Sequence, residues 1–580
     1  MKTRMTPRVR RDTGFIALLL LGVIVLCWRA RFGFDTTYDE PFYLTISHRL
    51  LLGDALIADE WNVSQLSAVM NVPLIALYRL LTGGTDGLIL FMRHAFIAVH
   101  AAVCVFFYRR TRSYGWASVL TCVIWLFFLP YRYLALSYNT WGMELLAVAG
   151  VWSATVKPGR RLPWFVMGIL LALAVLCCPY LALLWPVYGI AVLLRRLLKK
   201  RMKGEPQPLL TGRAFLLVTL GCAVTAALFL LLVLSRASLS EVLAAIPCIF
   251  SDSAHSFVSP VVKISNYLRD LSLIYSYVEF GMVFVWLMLL LLCLCIGFDR
   301  ERDRRRGAYL AVACVMTIVA QLIMGDWLYR HFQTVMIPLF FLGLPAFMLC
   351  REKDRRLLSG LMLPGLIYSV CQFCASNNEE YATAIGFAVA NLPAALFAAR
   401  VLLEMREDAG DAPDRTVLSA SRLLSALVAL ALVLTAGLNI ASTVGWTYTD
   451  VSPAGADATL TGGPFDGIRT TAANAQAYAD RMADLAVVKE SGAQSVLLLG
   501  REGWPYLALD PCRYATFSAW INEGEEGRLT EYFAMHPDLV PDCVLLPHDS
   551  ALNTEETAAA LIAAGYVRTE GAAYGIFIRE

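Results

Sequence analysis

The segment Phe34-Asp-Thr-Thr-Tyr-Asp-Glu-Pro-Phe-Tyr43 directly follows the first apolar run of the chain, residues 14–28. It places two adjacent carboxylates, Asp39 and Glu40, where the chain leaves an apolar environment, beside tyrosines and a proline that can open a helix. Such a segment can hold a general base beside a substrate, and it is equally typical of a solvated helix start. The rest of the chain must decide between these two interpretations.

Composition indicates a membrane protein. Of the 580 residues, 58% are hydrophobic and only 16% are charged, which is too apolar for a soluble protein of this size. The net charge of +3 gives no indication of a nucleic-acid partner. Most of the 15 cysteines fall in apolar runs, and neither Cys177-Cys178 nor Cys293-x-Cys295 has the spacing of a zinc site. We predict no cofactor, although the sequence leaves a divalent metal open.

Apolar runs of roughly 17–25 residues, the length that crosses a bilayer, recur along the first three quarters of the chain. They lie near 86–108, 115–133, 139–156, 163–178, 180–197, 214–235, 273–298, 307–325, 332–350, 357–374, 381–403 and 422–443. With residues 14–28, which no cleavage site follows, they predict about thirteen transmembrane helices. The segment Cys178-Pro-Tyr180 leaves open whether 163–197 forms one kinked span or two short ones.

The basic residues predict the orientation. With the amino terminus inside, the inner loops and terminus hold about 31 Lys and Arg, against about 10 in the outer loops and spans of the membrane region. We therefore expect a multi-pass protein of the cell (plasma) membrane with a cytoplasmic amino terminus. Residues 31–85, 236–272 and everything after about 444 are then extracytoplasmic.

Two domains are predicted. Residues 1–443 form the transmembrane domain, with an outer loop at 31–85 that carries surface helices at 42–56 and 69–81, and a second outer loop at 236–272. Residues 444–580 read as an extracytoplasmic α/β domain with strands at 495–500, 543–547 and 573–578 and helices at 472–491 and 554–564. Its aromatic residues can stack on sugars, but in a small domain they more often form the core: Trp504, Tyr506, Tyr514 and Trp520.

Two motifs follow the first span: Tyr38-Asp-Glu-Pro-Phe-Tyr43 and His48-Arg-Leu-Leu-Leu-Gly-Asp54. With the layout above they resemble the GT-C superfamily of membrane glycosyltransferases that use polyprenyl-phosphate sugars, in particular the aminoarabinose lipid A transferases and protein O-mannosyltransferases. Tyr329-Arg-His-Phe332 with Pro338 is similar to the arginine-tyrosine and proline pattern that opens a late span in these enzymes. The resemblance implies a GT-C type fold and transfer of a sugar from a polyprenyl-phosphate carrier to an extracytoplasmic lipid, glycan or protein acceptor at the bilayer, with no nucleic acid.

The resemblance also implies roles for individual residues. Asp39 is the expected base for the acceptor hydroxyl, with Glu40 supporting it, and Arg330 is the expected cation for the departing lipid phosphate, unless it is a snorkelling interfacial arginine. Further donor or phosphate contacts are expected at His331, Arg132 and Tyr329. Apart from the resemblance, the candidates for binding the acceptor or sugar are Tyr38, Tyr43, Asp59, Glu60, Tyr138, Asn139 and His255, and Asp59 and Glu60 can equally face water.

The sequence departs from the family in two places. The turn after the third span reads Leu136-Ser-Tyr-Asn-Thr140, without the second carboxylate of many relatives, which weakens any metal-site proposal. The segment Asp59-Glu-Trp-Asn-Val-Ser64 lacks the lysine that the lipid A enzymes carry in their first loop. Within the bilayer Arg93, His94, His100 and Glu144 need partners, and we expect a structural pair of Arg93 with Glu144 in preference to a direct functional role.

Three other functional classes remain open. A glycan polymerase or ligase would rely on His255 and the arginines of the second outer loop. A lipid or sugar transporter would show inverted repeats and interrupted helices. A non-catalytic assembly protein would tolerate the loss of both Asp39 and Arg330.

Overall fold

The structure is a computed structural model, and it describes a helical bundle that carries a small sheet domain at one end. The described residues are 6–35, 39–157, 159–197, 210–251, 258–273, 281–323, 335–351, 354–376, 379–408 and 415–579. The predicted fold class, a polytopic α-helical protein with a carboxy-terminal α/β domain, is confirmed.

The helices of the first half are α1 (Pro7–Arg29), α2 (Asp39–Leu52), α3 (Val72–Thr82), α4 (Leu88–Thr111), α5 (Trp116–Leu126), α6 (Tyr138–Thr155), α7 (Leu162–Cys177), α8 (Leu184–Leu197), α9 (Gly212–Leu234), α10 (Leu239–Ile249) and α11 (Pro260–Leu273). The second half of the bundle contains α12 (Gly281–Phe298), α13 (Arg302–Ile323), α14 (Leu339–Leu349), α15 (Leu363–Ala375), α16 (Glu379–Asn391), α17 (Ala394–Asp408) and α18 (Arg415–Gly445). Each predicted span coincides with one or more of these helices. Within the described residues, seven helical segments are long and apolar enough to cross a membrane.

The segment 163–197 forms two helices, α7 and α8, that both pack against α9. A Cβ on Gly168 of α7 would lie 2.1 Å from the carbonyl oxygen of Val218, and one on Gly189 of α8 would lie 3.1 Å from the Phe215 ring. Val218 and Phe215 are one turn apart on α9, so α7 and α8 pack against the same part of that helix. The chain therefore reverses at Pro179, and the two-span alternative is the one observed.

The carboxy-terminal residues form a mixed sheet with helices. Its strands are β3 (Ser495–Leu498), β4 (Arg513–Tyr514), β5 (Cys543–Pro547), β6 (Tyr566–Glu570) and β7 (Tyr574–Arg579), in the order β4-β3-β5-β7-β6, after a short β1 (Ala458–Thr459) and β2 (Arg469–Thr470) pair. Strands β3, β4 and β5 are parallel, whereas β7 is antiparallel to both β5 and β6. The associated helices are α19 (Ala472–Glu490), α20 (Trp504–Ala508), α21 (Glu526–Met535) and α22 (Glu555–Ala563).

Helix α2 is buried along most of its length. Asp35 accepts a hydrogen bond from the Glu40 N–H (2.6 Å) at the first turn, where Pro41 also fits because its missing N–H is not needed there. Beyond this turn almost every side chain of α2 up to Leu50 is buried, polar ones included. The helix is covered because the sheet domain packs on it, a tertiary contact that local periodicity does not encode. Helix α3 keeps an exposed apolar side, where Leu80 is 82% exposed.

The contact between the sheet domain and residues 39–85 is polar and aromatic. His48 lies between Asp510 (Nε2 to Oδ1, 3.0 Å) and the Tyr514 hydroxyl (3.0 Å). Arg49 donates to the Tyr532 hydroxyl (2.9 Å), and the backbone N–H of Trp61 donates to the Phe517 carbonyl (2.8 Å). We call this end of the bundle the domain end.

The basic segments meet at the other end of the bundle. Tyr108, near the end of α4, donates to Asp12 at the start of α1, and Tyr114 donates to Asp354 (2.8 Å). Arg306 is almost fully buried and pairs with Glu404 (2.8 Å). The predicted clustering of the arginine-rich loops on one side is therefore seen as a network of ion pairs and hydrogen bonds at the end opposite the sheet domain.

Candidate functional site

Asp39 begins α2 at the domain end, half-buried between the bundle and the segment that follows α18. Its carboxylate accepts a hydrogen bond from the hydroxyl of Tyr448, three residues beyond the end of α18. Burial, followed by the charge and hydrogen bond of Asp39, raises the pKa of Tyr448. Tyr448 therefore stays protonated and acts as a donor to Asp39.

Tyrosine rings surround this carboxylate. Tyr43 lies one turn after Asp39, with its ring centroid 6.3 Å from that of Tyr133 and 5.6 Å from that of Tyr138. Tyr133 in turn contacts Tyr448 at 5.2 Å. Burial raises the pKa of Tyr43, and the neighbouring tyrosines and Asp39 raise it further. The site thus combines one carboxylate with several neutral hydroxyl groups, which suits a polyhydroxylated ligand.

Unusual backbone conformations occur beside these tyrosines. Tyr131 and Arg132 have φ of 55° and 61°, and Thr449 has φ of 33°. None of them is glycine, and left-handed backbone is uncommon for other residues, with β-branched threonine the least suited to it. Such strain tends to concentrate at functional sites, where the surrounding structure holds it.

Glu40 has a different environment from its neighbour Asp39. Its two carboxylate oxygens accept hydrogen bonds from Arg93 Nε (2.7 Å) and Nη2 (2.5 Å), and both side chains are buried. Arg93 also donates to the backbone carbonyls of Ala30, Phe32 and Gly33 at 2.8 to 3.2 Å. The pair therefore joins the start of α2 to the chain that leaves α1.

The expected pairing of Arg93 with Glu144 is wrong. Glu144 pairs with His100 Nδ1 and accepts from Trp125 Nε1 (3.3 Å), while His100 Nε2 donates to the Trp125 carbonyl (2.8 Å). The two buried charged networks are separate because Arg93 lies near the first turn of α4 and reaches the loop before α2, whereas His100 lies two turns further along α4.

Arg132, a sequence candidate for binding phosphate, lies at the same end of the bundle. Its Nε donates to Ser442 Oγ (3.1 Å), and its guanidinium lies 5.1 Å from the centroid of the Trp446 ring. The backbone carbonyl of Arg132 accepts from Arg29 (3.3 Å), the last residue of α1, which also donates to the Trp446 carbonyl (3.0 Å). These arginines join α1, the end of α18 and the strained turn at Tyr131.

The candidates Asp59 and Glu60 contact residues of the domain interface. Asp59 accepts from His536 Nε2 (3.0 Å), and this hydrogen bond raises the pKa of His536. Burial opposes ionisation of Asp59, but the His536 bond and the charge of Arg49 hold its pKa below the usual value. Glu60 accepts from Arg49 Nη1 (3.2 Å), and burial raises its pKa to about 7 although Arg49 lowers it. Their observed partners belong to the protein itself.

The remaining sequence candidates divide into two groups. Tyr138 and Asn139 begin α6, where the Asn139 side chain is buried and its backbone carbonyl accepts from the Tyr368 hydroxyl (3.5 Å). The others lie outside the described residues: Tyr38, His255, Tyr329, Arg330 and His331. Where the structure describes the chain, no cluster of three or more His, Cys, Asp or Glu side chains has the arrangement of a metal site.

Sequence reasoning missed Tyr448, Tyr133 and Asp35. Asp35 accepts from Glu40 N–H and from Thr449 Oγ1 (3.1 Å), and so ties the start of α2 to the residue after Tyr448. A usable signal was present in Trp446-Thr-Tyr-Thr-Asp450, an aromatic and acidic segment directly after the last span, like the segment after the first.

Comparisons with known proteins show a structural likeness but no sequence match. No family model matches the chain, and no curated protein matches it. Among solved structures, the chain is similar to the archaeal oligosaccharyltransferase AglB from Archaeoglobus fulgidus in complex with an inhibitory peptide and a dolichol-phosphate. The alignment has 12% sequence identity and a TM-score of 0.44, and it covers 98% of this chain and 74% of that chain. At this level of similarity it carries no conclusion about residues or activity.

Proposed function

We propose that the protein is a membrane glycosyltransferase that moves a sugar from a polyprenyl-phosphate carrier to an acceptor on the extracytoplasmic face of the membrane. The observation that carries the proposal is the environment of Asp39: a half-buried carboxylate with the Tyr448 hydroxyl as donor, lined by the rings of Tyr43, Tyr133 and Tyr138. It coincides with the motif that resembles the GT-C superfamily.

Asp39 acts as the general base in this proposal. The acceptor hydroxyl transfers its proton to the Asp39 carboxylate while its oxygen forms a bond to the anomeric carbon of the donor sugar. The bond from that carbon to the carrier phosphate breaks, and the lipid phosphate leaves with the electron pair. The attack comes from the face opposite the phosphate, so the anomeric configuration inverts. The Tyr448 hydroxyl donates a hydrogen bond to this carboxylate and so holds it in position.

A cation must stabilise the departing phosphate, and Arg330 is proposed for this role because guanidinium binds phosphate through two parallel hydrogen bonds. The described chain resumes at Val335. Met336 then accepts a hydrogen bond from Asn391 (2.6 Å) and contacts Asn439, one helical turn before the Arg132 partner Ser442. Met336 is therefore linked through Asn439 to the part of α18 that contacts Arg132, the second proposed phosphate contact.

The orientation is proposed from the distribution of charge. The arginine-rich loops lie at the end of the bundle opposite Asp39, and basic loops remain preferentially in the cytoplasm. Asp39 and the sheet domain are then extracytoplasmic, where a lipid-linked sugar and an extracytoplasmic acceptor meet.

The test is transfer of radiolabelled sugar from a polyprenyl-phosphate donor to host membrane acceptors, with the full-length protein in proteoliposomes. We expect Asp39→Asn and Arg330→Ala each to lower the initial rate by at least about 100-fold, since general base catalysis alone contributes roughly 10²–10⁴-fold. The matched control is Asp86→Asn, which removes an exposed carboxylate from the same loop region and should transfer at the parent rate.

If correctly inserted Asp39→Asn protein transfers sugar at the parent rate, the base assignment is wrong. If neither Asp39→Asn nor Arg330→Ala changes the rate, the site lies elsewhere and the polymerase or ligase alternative, with His255 as its first candidate, replaces this proposal.

A further inference from the structure

Two loops of the sheet domain meet above α2. Residues 499–503 follow β3 and residues 515–521 follow β4, and the two strands are parallel, so both loops leave the same edge of the sheet. The Ile521 N–H donates to the Gly500 carbonyl (3.0 Å) and joins the loops. Ligands of open α/β sheets bind at this edge, beyond the carboxyl ends of parallel strands.

A stack of side chains connects these loops to the start of α2. The guanidinium carbon of Arg501 lies 4.9 Å from the centroid of the Trp520 ring, and Trp520 stacks on Phe42 at 4.5 Å with an interplanar angle of 28°. Phe42 contacts Tyr43 at 5.8 Å and lies one turn after Asp39 on α2. The stack therefore runs from an exposed cation to the rings beside the proposed base.

The charge of Arg501 has no protein counter-ion among the described residues. Arg501 is exposed. The carboxylate of its neighbour Glu502 already accepts hydrogen bonds from Arg481 (Nε to Oε1, 3.0 Å) and from the Tyr574 hydroxyl. The Trp520 indole N–H is also without an acceptor in the described part of the chain. Contact with an indole face fixes an arginine while its N–H groups remain available.

We propose that Arg501, held by Trp520 and Phe42, is an anion-binding subsite for the acceptor. The acceptor then carries a phosphate or carboxylate group near the hydroxyl that attacks the donor. Guanidinium pairs with either group through two parallel hydrogen bonds. The subsite lies on the order of 15 Å or less from Asp39, given one helical turn and two ring contacts, so one extended acceptor molecule can contact both. The inference rests on the proposed function of Asp39.

The test is saturation-transfer difference NMR on the full-length protein in detergent, with glucose 6-phosphate, glucuronate and neutral methyl glucoside as probes. We expect the two anionic probes to bind the parent protein about tenfold more tightly than methyl glucoside, because hydrogen bonds to charged groups are the stronger ones. Arg501→Ala should reduce the affinity for both anionic probes to that for methyl glucoside, and Arg501→Lys should retain part of the preference for the anionic probes.

The matched control is Arg568→Ala. Arg568 is also an arginine on an aromatic ring, 5.7 Å from the centroid of Phe577, but it lies on β6, which is separated from β3 by β5 and β7. Its loss should leave anion binding unchanged. The relative affinity of glucose 6-phosphate and glucuronate in the parent protein identifies which anionic group the acceptor carries.

Equal binding of all three probes, or anion binding that survives Arg501→Ala, would overturn the subsite while leaving the Asp39 assignment intact. Conversely, anion binding lost in Arg501→Ala together with full sugar transfer by Asp39→Asn would retain the subsite and refute the proposed catalytic role of Asp39. In the transfer assay, Arg501→Ala should raise the KM for the acceptor about tenfold with kcat unchanged, as expected for a residue that binds without taking part in the chemistry.

Discussion

Removal of Glu40 tests whether the pair with Arg93 holds the site together. Glu40 is 2% exposed and Arg93 is 4% exposed, and two hydrogen bonds of 2.7 and 2.5 Å join them. Truncating one partner of a buried ion pair costs about 3–5 kcal/mol because the other charge stays buried. In Glu40→Ala the guanidinium keeps its three backbone carbonyl acceptors, so we expect about 3 kcal/mol, the low end of that range.

Thermal unfolding followed by intrinsic fluorescence of the full-length protein measures the effect. With roughly 2 cal/mol/K of unfolding entropy per residue, a cost of about 3 kcal/mol lowers the midpoint of a chain of 580 residues by about 2–3 °C. The control is Arg568→Ala, whose ion pair with Glu570 is exposed (42% and 56%) and contributes at most about 1 kcal/mol.

The double variant Glu40→Leu with Arg93→Leu should lose less stability than the two single variants together, because no unpaired charge remains buried. If Glu40→Ala unfolds at the same temperature as Arg568→Ala, the buried pair of Glu40 and Arg93 does not stabilise the protein.

Two further predictions concern stability measured in the same way. The hydrogen bond to Asp59 raises the pKa of His536, so the stabilising charge of His536 is complete below its ordinary pKa of about 6.5 and is lost as the pH rises through the higher folded value. Asp59→Asn should therefore lower the midpoint most at a pH below about 6.5 and progressively less as the pH rises through the higher folded pKa of His536, and a difference independent of pH would contradict the assignment. Gly386→Ala would place a Cβ 2.1 Å from the Ser369 nitrogen and should cost about 1–3 kcal/mol. Gly437→Ala, inside α18, meets nothing within 4 Å and should leave the midpoint the same or raise it slightly, because alanine favours a helix by about 1 kcal/mol over glycine.

The course of the chain through the bundle was predictable from the sequence because crossing a bilayer requires long apolar runs, and these runs are local. The strands at Ser495–Leu498 and Cys543–Pro547 were predictable for a related reason, since both are short, continuous apolar segments that form the buried centre of the sheet. The proline at position 179 also indicated an interruption of the helix, although only the packing on α9 shows that the chain reverses there.

The partners of the charged residues were not predictable in the same way. Arg93, Glu40, His100 and Glu144 all lie in apolar surroundings, and sequence spacing indicates only that each needs a partner. The carboxylate that Arg93 contacts is determined by where the loop before α2 folds back. That loop is held in place because three of its backbone carbonyls accept hydrogen bonds from the Arg93 guanidinium. The contact of Tyr448 with Asp39 joins residues 409 positions apart, so no local pattern reveals it.

The adjacent carboxylates of the opening motif therefore have different physical roles. Both oxygens of Glu40 are bound by Arg93, and the same arginine binds the chain after α1, so Glu40 sets the direction in which α2 begins. Asp39 precedes it on the helix by about 100° of rotation, and so points away from Arg93 toward the tyrosines and Tyr448. A base must be held firmly yet keep access to its substrate. The motif achieves this by burying one carboxylate in an ion pair, which leaves its half-buried neighbour facing the tyrosine-lined site.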